Sequence, residues 1–298
     1  MENSHGRGAD LRAALVVMKL LTVLAASAGI AALATPALAE EVELKAKFEP
    51  GKTQVYEQKM NMTSNMMGQA MNMTMTMGLL NSAKAHDEGT AVTMDFDSLA
   101  MKMEMGGQVV MDIDTKNEET LQGPAGAQFK SITDVSATGI FKDGKFVKVI
   151  DTKGLDGAAA QMFDQATLEQ SIKGSTDFLP TTPVKVGDTW QATSVMPMKD
   201  LGGELTTAID AKLDEIKEVD GKKMAIISFT GKVSSPEGAP MTVEAKKFVG
   251  TIDFDVADGV TKKMTNDIDM AITAPGAPEK IEMQMKTAME LIEIKDSE

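Results

Sequence analysis

Apolar and polar residues alternate with a period of two along most of this chain, the signature of half-buried β-strands. Gln58, Met60 and Met62 share one face after Tyr56, with Glu57, Lys59, Asn61 and Thr63 on the other. Met71, Met73, Met75 and Met77 then alternate with Asn72, Thr74 and Thr76. Val92, Met94 and Phe96 line one face of the next segment, and Leu99, Met101, Met103 and Met105 continue it in the opposite phase. That slip predicts a β-bulge near Asp97-Ser98, because one extra residue reverses every later side chain. Val109, Met111 and Ile113 make a further short strand. The second half repeats the pattern through Leu205, Thr207, Ile209, Ala211 and Leu213, then Ala225, Ile227, Phe229 and Val233, then Phe248, Ile252, Phe254 and Val256. Val260, Met264, Ile268, Met270 and Ile272 follow, and Ile281, Met283, Met285, Met289 and Leu291 close the series. Asp220-Gly221 and Asp258-Gly259 read as hairpin turns.

One segment has helical character. Asp156 is placed to act as N-cap, residues 158–173 have good helix propensity, and Gly174 stands where a C′ glycine belongs. Ala159, Met162, Phe163 and Ala166 form its loose apolar stripe. Residues 117–128 and 234–240 read as loops. The order of turns repeats: Gly51-Lys52-Thr53 parallels Gly187-Asp188-Thr189, Glu88-Gly89 parallels Asp220-Gly221, and Asp143-Gly144 parallels Asp258-Gly259. Hairpin proteins reuse Asp-Gly turns in any case, so duplication and independent turns both fit.

The expected fold class is therefore mainly β and antiparallel. Strongly curved sheets or open barrel-like lobes are expected, with a duplicated pair as one option, and one α-helix near 156–173. A single continuous β-sandwich is the alternative. The expected division is a signal peptide over 1–39, a Met-rich β lobe over 40–155, a helix and connector over 156–177, and a C-terminal β lobe over 178–298.

The leader changes where this fold operates. Lys19 precedes an apolar run from Leu20 to Ala34, and Ala37-Leu38-Ala39 supplies an A-x-A cleavage site, the layout of a secretory signal peptide. Cleavage between Ala39 and Glu40 is expected, giving a periplasmic or secreted protein that is not integral to a membrane. The run is short for a transmembrane span. Residues 1–39 hold Arg7, Arg12 and Lys19 against Glu2 and Asp10, so 27 basic and 42 acidic residues remain, a net −15. Both arginines lie in the leader. An acidic chain without guanidinium forks is a poor ligand for nucleic acid or an anionic surface. Cysteine is absent, so the core alone must provide stability.

Phe178-Leu179-Pro180-Thr181-Thr182-Pro183-Val184-Lys185-Val186-Gly187-Asp188-Thr189-Trp190, with the Met-rich strands and Met66-Met67-Gly68-Gln69, resembles an uncharacterised family of bacterial exported proteins, a domain of unknown function. The resemblance covers most of residues 45–295. Many members look like lipoproteins. The missing acylated cysteine means that tethering does not carry over, and the resemblance supplies no activity and no catalytic residues.

Catalytic chemistry finds little support, and no enzyme is expected. His86 is the one histidine beyond the leader and sits before Asp87-Glu88-Gly89 in a turn, without a nucleophile motif. Asp112-Ile113-Asp114-Thr115-Lys116 begins like a calcium loop but puts lysine where an oxygen ligand belongs. Asp253, Asp255 and Asp258 have the wrong spacing. No cofactor is expected.

Methionine is the anomalous residue, with 25 in the chain. Three readings follow. Thioethers fill cores and adapt to apolar ligands; they bind Cu(I); and exposed ones take up oxidant reversibly. Leu, Ile, Val and Phe hold the equivalent face positions in the second half, which favours the first. The expected role is an exported, non-enzymatic binding or scaffold protein, engaging an apolar ligand or an envelope protein. Met60, Met62, Met71, Met73, Met75, Met77, Met101, Met103 and Met105 are the candidate ligand face. No metal is expected; if Cu(I) binds, Met71, Met73 and Met75 are the candidates, or Met101, Met103 and Met105. The oxidant sink is the third reading.

Overall fold

The computed structural model describes residues 40–66, 68–122, 126, 129–155, 165–198, 203–235, 242–273 and 280–297. The expected signal peptide, the Asp156 cap and the first part of the expected helix lie outside them. Fourteen strands are present among the described residues: β1 (Glu41–Val42), β2 (Lys52–Met66), β3 (Gln69–His86), β4 (Gly89–Met105), β5 (Gln108–Asp114), β6 (Ser136–Lys142), β7 (Lys145–Lys153), β8 (Val184–Lys185), β9 (Thr189–Met198), β10 (Gly203–Val219), β11 (Lys222–Ser234), β12 (Thr242–Asp255), β13 (Val260–Thr273) and β14 (Ile281–Asp296). Helix α1 spans Gln165–Asp177, and a 3-10 turn covers Ser131–Asp134.

Twelve strands form one antiparallel sheet in the order β7-β6-β4-β3-β2-β14-β13-β12-β11-β10-β9, with β5 paired beside β4. β1 and β8 make a separate two-stranded sheet. The long sheet is a meander whose two halves meet where β2 pairs with β14. Helix α1 packs on β6 and β7 at one end of the sheet and on β9 at the other. One helix reaches both ends only because the sheet rolls, and it covers the open seam; the sheet does not close on itself. β-bulges assist the rolling.

The bulge expected near Asp97-Ser98 is present. Gly78 pairs with Ser98 and Leu79 with Phe96, which leaves Asp97 unmatched. A second bulge lets Met103 face Met111 and Glu104 face Val109, leaving Val110 over. It lifts Val109 out of the interior, contrary to its expected place with Met111 and Ile113; Val109 and Val110 are both exposed. Asp143-Gly144 and Asp220-Gly221 form two-residue turns with positive φ at both positions, as a type I′ hairpin requires.

The helix differs from expectation at its C-terminal end. It passes through Gly174 and stops at Asp177. Its buried stripe is Leu168, Ile172 and Thr176 at four-residue spacing, and Ala166 is only half-buried. Tertiary bonds decide the end: Lys145 Nζ donates to the carbonyls of Leu179 (3.0 Å) and Thr176 (3.4 Å), and Trp190 Nε1 donates to the Phe178 carbonyl (2.7 Å). These partners satisfy chain-end carbonyls that a C′ glycine would otherwise help to satisfy.

The interior holds two apolar clusters. One contains the buried methionines of β2, β3, β4, β13 and β14, together with Leu168 and Ile172 of α1. The other joins Ile209, Leu213, Ile227, Phe229, Ile252 and Phe254 to Val42 and Leu44 of the N-terminal segment, and to Leu179 and Val184. Residues 40–49 form a strap across this end. Lys47 N donates to the Gly259 carbonyl (2.9 Å) and Lys47 Nζ to that of Ala257 (2.7 Å). The Phe48 ring stacks obliquely on Phe141, centroids 4.6 Å apart.

Candidate functional site

The methionines take positions set by strand register. Met60, Met62, Met71, Met73, Met75, Met77 and Met101 are buried, and Met103 and Met105 are half-buried. Met111, Met103, Met73, Met62 and Met285 stand opposite one another across β5, β4, β3, β2 and β14, a row of five in register. Met101, Met75 and Met60 form the row below. The interior wall on this side is therefore a continuous thioether surface.

A cavity of about 90 Å³ lies beside it, between the sheet and α1. Met77, Leu79, Met94, Phe96, Leu168 and Ile172 provide its apolar walls. Of the nine candidate methionines, Met77 alone lines it. The bulge at Asp97 keeps Phe96 and Met94 on the same face as Leu79 and Met77, so the phase slip read from the sequence shapes this chamber. Leu168 and Ile172 of α1 supply the facing wall, a contact that strand periodicity did not reveal.

Polar groups converge there also. Gln58, Asn81 and Ser171 line the cavity, while Asp95 and Ser136 border it as a register pair whose side chains take the opposite face from Met94 and Ala137. Asn81 Oδ1 is buried without a hydrogen-bond partner. Burial pushes the Asp95 carboxyl above the ordinary aspartate range, against the pull of Lys153. Ser171 Oγ donates to the Thr167 carbonyl (2.9 Å). Asn81 and Asp95 escaped the sequence reading because each sits among alternating residues with nothing local to mark it.

The other candidates have structural roles. His86 is exposed in its turn, and its Nδ1 accepts from the Glu88 amide (3.2 Å). Asp255 is buried, and its Oδ1 accepts from the amides of Ala257 (3.0 Å) and Asp258 (2.9 Å). Lys222 Nζ lies 2.6 Å from Asp258 Oδ2, so an ammonium neutralises this acidic turn. Asp112 and Asp114 belong to β5. Among the described residues no group of three or more His, Cys, Asp or Glu could hold a metal. No helix among them is long and apolar enough to cross a membrane.

The Leu179-to-Trp190 string is a clamp. Leu179 and Val184 are buried, Val184 pairs with Val42, and the Lys185 amide donates to Asp188 Oδ2 (3.0 Å). Leu213 N donates to the Asp188 carbonyl (3.0 Å), while Trp190 holds the segment that follows α1. The string thus links the strap to the second half of the sheet through Val184–Val42 and Asp188–Leu213, and ties the segment after α1 to β9 through Trp190. Residues 150–272 match the model of a family of unknown function, DUF6263. The DUF6263 match runs from β7 through the clamp into β13, and it agrees with the resemblance to an uncharacterised family.

No curated protein matches the chain. Among solved structures, lipovitellin is 10% identical, with 85% of this chain and 26% of that chain covered, at a TM-score of 0.44. The chain thus spans about a quarter of that protein. A Bacteroides fragilis protein described as exported, with a YmcC-like fold, is 8% identical over 85% of this chain and 100% of its own, TM-score 0.24. A DUF1329 family protein from Desulfovibrio piger is 10% identical over 82% and 86%, TM-score 0.17. Likeness at this level says nothing of a shared activity.

Proposed function

We propose that this protein is an exported, non-enzymatic binding protein of the cell envelope that takes an apolar chain into the chamber beneath α1. The observation that carries the reading is an apolar chamber, bordered by Gln58, Asn81 and Ser171, inside a rolled sheet whose seam is covered by one helix. Pockets of this composition are where ligands bind. The chamber is small at about 90 Å³. Met77 and Met94 have the unbranched side chains that can change rotamer and enlarge it. Export rests on the leader, and cleavage would leave Glu40 at the start of the strap, where its carboxylate pairs with Lys223.

The test uses residues 40–298 labelled with ¹³C at the methionine methyl groups and titrated with 1-decanol and, separately, decanoate. Saturable shifts at Met77 and Met94, with Met62 and Met285 unmoved, support the reading. Absence of saturable shifts with both probes removes it.

A second reading, Cu(I) binding, is favoured by the in-register methionine row. Neighbouring strands are about 4.8 Å apart, whereas alternate residues on one strand are about 6.8 Å apart. Met62, Met73 and Met103 are thus better disposed to share an ion than Met71, Met73 and Met75. Competition against a Cu(I) chelator tests this: wild-type affinity no greater than that of a Met73→Leu variant ends the copper reading.

A further inference from the structure

We infer, independently of the chamber, that the free edge of β5 takes up an extended polypeptide segment of alternating apolar and lysine residues, which adds a strand to the sheet. Thr115 N donates to the Leu99 carbonyl of β4 (2.9 Å), whereas Asp114 N donates to Thr120 Oγ1 (2.8 Å). Alternate residues of an antiparallel strand direct their backbone groups the same way, so Asp112, like Asp114, turns its N–H and carbonyl away from β4. Thr120 occupies the edge at Asp114; among the described residues nothing occupies it at Asp112. Edges that must stay single are blunted by lysine, proline, bulges or a covering element. The two end strands of the long sheet have these devices: β7 carries Lys145, Lys148, Lys153 and two register shifts, β9 carries Pro197, and α1 packs on both. β5 has neither lysine nor proline, and its one bulge leaves Val109 and Val110 53% and 54% exposed. The neighbouring side chains select the segment. Its inward positions would extend the row that ends at the half-buried Met103 and Met111, where apolar residues pack. Its outward positions would lie beside Asp112 and Asp114. Lys102, opposite Asp112 on β4, is taken by Glu104 (2.7 Å), so an ammonium on the new strand is the complement that the edge lacks. A second copy of this chain brings the same acidic edge and is repelled.

The test titrates a fluorescein-labelled peptide of alternating lysine and valine into the protein at low salt, read by anisotropy, with hydrogen exchange followed at the β5 amides. Saturable binding that slows exchange at Asp112 is expected. Affinity is expected to fall at least about tenfold for a glutamate–valine peptide of the same length, and likewise for the lysine–valine peptide with an N-methylated backbone, which cannot pair. Asp112→Pro, which removes an outward N–H without breaking a bond to β4, is expected to weaken the lysine–valine peptide by a similar factor. Should that substitution disturb the hairpin, the two control peptides decide on the wild-type protein alone. Absence of saturable binding by the lysine–valine peptide overturns the inference. So does equal binding of either control peptide. Concentration-dependent dimers in sedimentation that Asp112→Pro abolishes overturn it as well, by giving the edge to a second copy.

Discussion

Burial divides the methionines into two chemical populations. Met60, Met62 and Met285 are 2%, 1% and 1% exposed, while Met103, Met105 and Met111 stand half-open near the β4–β5 hairpin. Oxidant must reach sulfur, so peroxide treatment followed by peptide mass spectrometry is expected to convert the half-open group well before the buried one; uniform conversion in folded protein would restore the oxidant-sink reading. Buried thioethers also behave as core, and Met62→Ala is expected to cost about 2–5 kcal/mol in urea unfolding, against under about 1.5 for Met62→Leu. Asp95 gives a pH signature. Its folded pKa is raised above the unfolded value, so the unfolded state gives up its proton first as pH rises. Stability is then lost as pH climbs from the ordinary aspartate value of 3.8 through the raised one. Asp95→Asn is expected to remove that loss, measurable as a flatter unfolding midpoint above pH 4. The sequence exposed the methionine alternation plainly, because side-chain direction follows parity along a strand. It hid Asn81, since the absence of a partner is a property of three dimensions.

Turns and bulges fix which side chains share a face, and most were legible. Asp220-Gly221 turns with φ of 50° and 76°, values that Gly and Asp tolerate better than most residues. The Asp97 bulge was visible as a change of phase. Gly259 shows what the pattern could not give: its φ is +65°, and a Cβ there would lie 2.6 Å from the Lys45 carbonyl oxygen and 2.4 Å from Lys47 Cγ. Gly259→Ala is expected to destabilise by about 1–3 kcal/mol in chemical unfolding, more than an alanine at the open Gly221 turn, where nothing lies within 4 Å of the added carbon. The end of α1 was misplaced for a related reason. Gly174 looked like a stop, but Thr176 continues the buried stripe of Leu168 and Ile172 beyond it, and Lys145 and Trp190 hold the carbonyls further on.

At the scale of the molecule, a single rolled sheet depends on pieces that cover its openings. Val42 and Leu44 of the strap are 5% and 2% exposed, and they pack with Phe229 and Phe254 across the end of the roll. Removal of residues 40–48 is expected to cost more than about 4 kcal/mol, since it uncovers one of two apolar clusters; an unfolding midpoint close to that of the intact protein would deny the strap this role. Alternation, turn residues and the phase slip determined by themselves that the chain is antiparallel β with a methionine-rich inward face, because each is local and is written within a few residues. The tertiary structure alone decided that β2 and β14 join the halves, that α1 spans the seam between β7 and β9, and that Met77 and Met94 meet Leu168 and Ile172 around one chamber. Those pairings connect residues far apart in the chain, and strand periodicity is the same whichever strand lies alongside.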